Sequence, residues 1–347
     1  MLRTVVLVCL VAFALAAKHA PKEVRELKGQ KLVDHVNQQG KWIAEENKFS
    51  QMTLAEKKRF LGANKKLSPH MRRRGQPGKA SKSAKSPDTF DAVKAWPQCS
   101  NIISQIQDQS ACGSCWAVST TSAMSDRLCI ASNGKIQTQI SALDLMACCA
   151  DCGYQCQGGW PDEAWYKFSQ DGIVTGSNYT DDALCKPYPI APCHLENGKN
   201  KCPDEPDSDF KCEKKCQKAY TAEPYKNDHY FGKDGDVSYF ENDNDAAIEE
   251  LVKNGPIVAA FDVFEDFYQY KSGIYQYQAG DFVGGHAVRI VGYGEENGVK
   301  YWKVANTWDW YWGEEGYFRI RRGTNECGFE SEITSGNADV DRSLKGK

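Results

Sequence analysis

No stretch of the 347-residue sequence is apolar for long enough to cross a bilayer. The longest such run, Val5 to Ala17, has 13 residues, where a spanning helix needs roughly 20, so no membrane span is expected. Histidine is scarce: six in the chain, of which only His194, His229 and His286 lie beyond residue 86. Few residues can therefore serve as an imidazole base. Internal repeats at solenoid periods are missing. Glycine and proline, at 29 and 13 residues, are too few and too irregular for a collagen-like chain, and 41% hydrophobic residues are too many for wholesale disorder. What is left is a chain able to bury the core of one or two domains.

Cysteine, by contrast, is abundant, at 15 residues. Arg3 precedes the apolar run and Ala14-Leu15-Ala16 closes it, the pattern of a cleaved secretory signal over 1–16. A buried first helix is the rival reading, but the run has no polar face. Export preserves disulfides, so the fourteen cysteines that remain after Cys9 become informative.

The net charge of -3 conceals a division along the chain. Residues 17–86 carry 18 Lys and Arg against 6 Asp and Glu, a balance of +12; residues 87–347 carry 24 against 40, a balance of -16. A basic arm can bind nucleic acid or an anionic membrane. This one follows an export signal and shares its chain with an acidic body, so neither partner is expected and the arm should bind the body. Carboxylates begin to protonate near about pH 4 to 5, and acid should then release it.

Within the arm, Glu23 to Glu46 reads as helix, and Thr53-Leu54-Ala55-Glu56 has the form of a capping box opening a short helix that ends at Gly62. His70 to Ser86, rich in Arg, Lys, Ser, Gly and Pro, predicts a flexible, protease-sensitive linker. The body, 87–347, changes character about halfway. From Cys112 to Gly172 helical signals dominate, with Ala117, Thr121, Met124 and Leu128 on one helical face and Trp160 to Gln170 in another helix. Cys185 to Cys216 is loop-rich and cysteine-dense, and Asn244 to Asn254 predicts a helix closed by Gly255-Pro256. Ile257 to Val263, Ala287 to Tyr293, Tyr301 to Ala305 and Tyr317 to Ile320 predict strands. Helices first and strands later indicate an α+β protein of two packed lobes.

The densest chemical signal is Gln109-Ser110-Ala111-Cys112-Gly113-Ser114-Cys115-Trp116, directly followed by the first of those helices. A cysteine at a helix N-terminus meets the positive end of the dipole and free N–H groups, which favour thiolate over thiol. Such a nucleophile needs an imidazole to stand beside it and later protonate the leaving amine. His286 follows Gly284-Gly285, where missing side chains leave room for a substrate backbone. Further on, Asn306 offers an amide to orient the ring and Trp308 an indole to shield that contact from water.

These residues resemble the papain-like cysteine peptidases, and within them the cathepsin B branch; the Cys-Gly-Ser-Cys-Trp signature is a recognised mark of the family. The resemblance extends to Trp96-Pro97-Gln98-Cys99, Gln157-Gly158-Gly159-Trp160-Pro161, Tyr270-Lys271-Ser272-Gly273, Gly284-Gly285-His286-Ala287 and Tyr301 to Gly313. It implies a papain-like two-lobed fold, with a helical left lobe over roughly 98–225, a β-barrel-like right lobe over roughly 226–340 and a helical, inhibitory propeptide over 17–86. Cys115 would be the nucleophile, His286 the acid and base, Asn306 the residue orienting it, and Gln109 an oxyanion donor alongside the Cys115 N–H. Donors of this kind are worth roughly 2.7 to 4 kcal/mol each in comparable hydrolases. Gly158, Gly159 and Gly285 would line the path of an extended peptide, Trp308 and Trp312 would form an aromatic wall, and Glu332 would sit at the base of a pocket able to accept a basic side chain. The implied disulfides are Cys99 with Cys129, Cys112 with Cys156, Cys148 with Cys212, Cys149 with Cys152, Cys185 with Cys216 and Cys193 with Cys202, leaving Cys327 over; sequence alone does not fix this connectivity.

His286 and Asn306 follow Cys115 by 171 and 191 residues, more than the roughly 130 to 150 usual in the family. An inserted loop over 185–216 accounts for the excess. In the cathepsin B branch such a loop carries two adjacent histidines that grip a substrate's terminal carboxylate. Here it carries His194 alone, so endopeptidase activity is expected to dominate over removal of C-terminal dipeptides. Substrate proteins or peptides, the chain's own propeptide and cystatin-type inhibitors are the implied partners of a monomer without cofactor or metal.

Two rival readings stand beside this one. Cys112 with Cys115 and Cys149 with Cys152 have zinc-ribbon spacing, and a secreted binding protein could keep the fold without the chemistry. Asn178-Tyr179-Thr180 is a glycosylation sequon, and the acidic run 204–209 reads as a solvated loop. The compartment is expected to be a lysosome or the extracellular space. Tyr301 to Gly313 resembles the version in cathepsin B-like enzymes of parasitic worms that digest blood proteins, from which Thr307 and Tyr311 depart.

Overall fold

The computed structural model describes residues 21–80, 86–180, 182–196, 199–202 and 209–345. The export signal over 1–16, residues 81–85 of the linker and most of the acidic run 204–209 lie outside the described residues. Among those described, the strands are β1 Trp42–Ala44, β2 Gln76–Pro77, β3 Phe90–Asp91, β4 His194–Glu196, β5 Lys199–Lys201, β6 Phe231–Tyr239, β7 Ile257–Phe264, β8 Tyr270–Tyr275, β9 Phe282–Glu296, β10 Val299–Ala305, β11 Tyr317–Arg321 and β12 Ile333–Asp339. β4 and β5 form a hairpin of their own. The rest make one sheet in the order β1-β8-β11-β10-β9-β7-β12-β6-β2, with β3 beside β9.

The two outermost strands, β1 and β2, come from the arm, and the sheet remains open between them. It is not closed into the barrel-like lobe that the resemblance suggested. The helices concentrate before residue 171, at Cys115–Ala131, Ala142–Cys148 and Pro161–Gln170, with Asn244–Asn254 packed later against the sheet.

Cys115–Ala131 is buried on nearly every face, not only along Ala117, Thr121, Met124 and Leu128. Its polar residues are tolerated because their hydroxyls turn back on the helix: Thr120, Thr121 and Ser125 donate to the carbonyls of Trp116, Ala117 and Thr121 at 2.7, 2.9 and 2.7 Å. Around it pack Trp165, Phe168 and, from the sheet, Val258 and Ala287. A second apolar cluster, with Phe261, Phe267, Trp302, Trp308 and Phe318, fills the strand-rich side.

The arm differs from its sequence reading in three places. The helix expected over Glu23 to Glu46 is two helices, Lys22–Arg25 and Gly29–Gln39, followed by β1. Gly29 and Gly40, at φ 53° and 63°, mark the breaks, and β8 offers an edge on which Trp42 becomes buried. The Thr53–Glu56 capping box is present, but its helix ends at Lys58 rather than near Gly62. Residues 70–77, predicted as flexible linker, fall in the Pro69–Arg74 helix and β2. Ser68 caps that helix, Pro69 opens it, and Met71 is buried against Tyr166.

Candidate active site

The Cys115–Ala131 helix begins on the sulfur-bearing residue, and Ser114 before it gives no side-chain cap to the first turn. Cys115 is fully buried, and among the described residues it and Cys327 are the cysteines outside disulfides. The Ala287 N–H donates to its Sγ at 3.5 Å. Ser119, one turn into the same helix, donates to the Ala287 carbonyl at 2.8 Å. These two bonds clamp β9 onto the helix immediately after His286.

His286 Nε2 lies 2.7 Å from Asn306 Oδ1, which also accepts from the Thr307 N–H at 2.8 Å. An amide oxygen can only accept, so the hydrogen-bond network assigns the ring proton to Nε2 and leaves a lone pair on Nδ1. That Nδ1 is buried without a hydrogen-bond partner, as is Asn306 Nδ2. Trp308 stacks on the imidazole with centroids 4.7 Å apart, and Trp312 meets Trp308 edge-on at 5.2 Å.

Gln109 is held from both ends. Its Nε2 donates to the Cys112 carbonyl at 2.6 Å and to the Phe60 carbonyl of the arm at 3.1 Å, while its Oε1 accepts from the Thr307 hydroxyl. Thr307 is the site residue that sequence reading did not assign. The signal was its place between Asn306 and Trp308, where it departs from the worm-enzyme version of the motif.

The arm lies along the cleft as an extra piece of backbone. Gly159 donates its N–H to the Gly62 carbonyl at 2.8 Å and accepts from Asn64 at 2.9 Å; Ala63 donates to the Gly285 carbonyl at 3.0 Å. Glycines make this fit possible: a Cβ on Gly62 would fall 1.8 Å from the Gly113 carbonyl oxygen, and one on Gly285 would fall 2.3 Å from the Ala63 oxygen. A Cβ on Gly158, at φ 106°, would meet the Gly62 oxygen at 2.9 Å. Side chains fasten the arm further. Lys57 pairs with Glu265 at 2.7 Å with both largely buried, and Lys48 reaches Asp309 at 2.5 Å. His70 stacks on Tyr166 and lies 3.2 Å from Glu163.

Burial changes the acid–base character of the site. Burial pushes the Cys115 thiol up to about 11, against the backbone N–H groups of Ala287, Gly62, Trp116 and Cys115. Burial also pulls His286 down to about 4, with the Asn306 contact opposing. Between those values sulfur and ring are both neutral. Glu332, half-buried, is raised to about 7 by desolvation, while nearby Lys65 pulls it down.

Disulfides join Cys99 to Cys129, Cys112 to Cys156, Cys148 to Cys212, Cys149 to Cys152, Cys185 to Cys216 and Cys193 to Cys202, the pairs the resemblance implied. Both zinc-ribbon spacings are thereby broken, because Cys112, Cys149 and Cys152 are oxidised. Among the described residues, Cys185, Cys216 and Asp228 cluster at metal-ligand distance, but the two sulfurs are bonded to each other. His194 lies on β4 of the hairpin, and its side chain is outside the described residues. The foot of that hairpin stands beside the cleft, with Cys193 Sγ 3.5 Å from Ser110 Oγ. Asn178 is exposed on a loop.

A free thiol at a helix start, an oriented imidazole and the chain's own backbone laid across both have the arrangement of a thiol hydrolase held closed by its own chain. Residues 86–337 match the family described as papain family cysteine protease, and the chain belongs to that family. Cathepsin B-like cysteine proteinase 6 of Caenorhabditis elegans is 42% identical over 327 residues, covering 90% of this chain and 84% of its own. A cathepsin B-like cysteine proteinase of Schistosoma japonicum is 47% identical over 253 residues, 72% of each chain. Among solved structures, proCathepsin B S9 from Trypanosoma congolense aligns with a TM-score of 0.75 at 37% identity, covering 89% of this chain and 97% of that one. The enzyme is thus cathepsin B-like within the family, and it is made as a proenzyme.

Proposed function

We propose that Cys115, His286, Asn306 and Gln109 hydrolyse peptide bonds in protein substrates, mainly as an endopeptidase. The observation that carries this reading is the Phe60 carbonyl on Gln109 Nε2, beside a buried Cys115. A peptide carbonyl already rests on the donor proposed to stabilise the oxyanion. Once the arm leaves, water re-enters, and thiolate and imidazolium regain the solvation that burial denies them. Sγ attacks the scissile carbonyl, the Gln109 amide and the Cys115 N–H take the developing negative charge, and the imidazolium protonates the leaving amine. The ring then draws a proton from water, which splits the acyl-enzyme.

Labelling with an epoxide or alkyl halide at mildly acidic pH, followed by mass mapping, tests the nucleophile. Modification of Cys115 in the processed enzyme and protection in the proenzyme is the expected result; labelling only elsewhere would refute it. Endopeptidase preference is tested with a C-terminally amidated peptide and its free-acid twin. A large preference for releasing dipeptides from the free acid overturns that part. The signal over 1–16, the exposed Asn178 sequon and the disulfides support export, to a lysosome or the extracellular space. Processing near the end of the predicted linker at residue 86 would separate the arm of 17–86 from the catalytic body. Protein and peptide substrates and cystatin-type inhibitors are its partners in this reading.

A further inference from the structure

The side chain of Lys65 leaves the cleft-bound stretch of the arm and ends in a place shaped for a cation. Its Nζ lies 2.7 Å from Asp262 Oδ2, with the two side chains 24% and 34% exposed. The other side is Gly328, at φ 72°, where a Cβ would fall 2.8 Å from that ammonium and 3.8 Å from Asp262 Oδ2. The ammonium therefore fills space that exists because Gly328 has no side chain. Asp262 pairs in register with Gly285 across β7 and β9, and Gly285 is the residue that accepts from the Ala63 N–H. Glu332 is within electrostatic reach of the same ammonium.

Lys65 is thus a cationic side chain displayed from a backbone held by Gly159 and Gly285, the strip on which a peptide substrate is proposed to lie. Removing the arm vacates the place and leaves Asp262 without its partner. We infer that Asp262 is a specificity-determining residue of the processed enzyme, which selects a Lys or Arg side chain in the place of Lys65, together with Glu332 but independently of it. This rests on the peptidase function proposed above. The family resemblance pointed to Glu332 as a pocket carboxylate; Asp262, inside a strand-like apolar run, carried no such signal.

The test uses processed enzyme and peptides that differ only in lysine or its uncharged isostere norleucine, placed in turn at each of the four positions before the scissile bond. At one position the wild-type enzyme should favour lysine. Asp262→Asn should lower that lysine-to-norleucine ratio of kcat/KM roughly fivefold, as expected for a half-exposed ion pair. The loss should recur in a Glu332→Gln background, and Asp262→Glu should restore the preference. An unchanged ratio in Asp262→Asn overturns the inference. So does wild-type enzyme that cleaves both series equally at every position, a result independent of how any variant folds. Failure to cleave either series, with Cys115 unlabelled, would instead overturn the peptidase reading.

Discussion

At the scale of single residues, the site depends on how few hydrogen bonds fix its geometry. Gln109 is held by the Thr307 hydroxyl and by two carbonyls, one of which leaves with the arm. In the oxyanion role proposed for it, Gln109→Ala should lower kcat of the processed enzyme by about 10²- to 10³-fold with little change in KM; steady-state kinetics on a neutral peptide check this. His286 sets a pH dependence of definite sign. Covered, it titrates at about 4, whereas a solvated imidazole titrates near about 6.5. Between those values the closed cleft binds fewer protons than the open one, so acid favours opening through His286. Glu332, raised to about 7 when covered, binds more protons when closed, so between its ordinary value and 7 acid opposes opening. Glu332→Gln removes that opposition. In a Cys115→Ala proenzyme it should move the onset of protease susceptibility of the arm to higher pH.

At the scale of elements, the fit of the arm is a matter of backbone clearance and buried charge. Gly62→Ala would place a methyl 1.8 Å from the Gly113 carbonyl oxygen, so the extended stretch could not lie flat. The variant proenzyme should lose latency, read as early labelling of Cys115. Lys57→Ala would strand Glu265, which is 5% exposed in the proenzyme, without its buried cation. Breaking such a pair costs roughly 3 to 5 kcal/mol, to be seen as a lowered Tm of the proenzyme but not of the processed enzyme. Legibility in the sequence follows the same division. The Asn244–Asn254 helix was readable to the residue because Gly255-Pro256 stops it, and the pairing of His286 with Asn306 was expected from short motifs. β1, β2 and β6 were not, because their partners lie more than 150 residues away for the first two, at β8 and β6, and because β6 is largely polar on its open side. Thr307 was hidden for another reason: only the fold brings its hydroxyl to Gln109, 198 positions away.

For the molecule as a whole, the +12 arm and -16 body meet through discrete ion pairs at Lys48, Lys57 and Lys65. Salt screens the exposed share of this attraction over about 10 Å at 0.1 M. Release of the arm from a Cys115→Ala proenzyme nicked in the linker should therefore speed up as ionic strength rises; a salt-independent rate would leave apolar packing as the sole fastening. The ends of the main sheet carry a further consequence. Both of its outer strands lie in the arm, so removal of the arm at the proposed boundary near residue 86 would strip the borders from β8 and β6 and uncover unpaired amide and carbonyl groups there. The processed enzyme would then carry raw seams that its precursor never shows, each open to pairing with another strand.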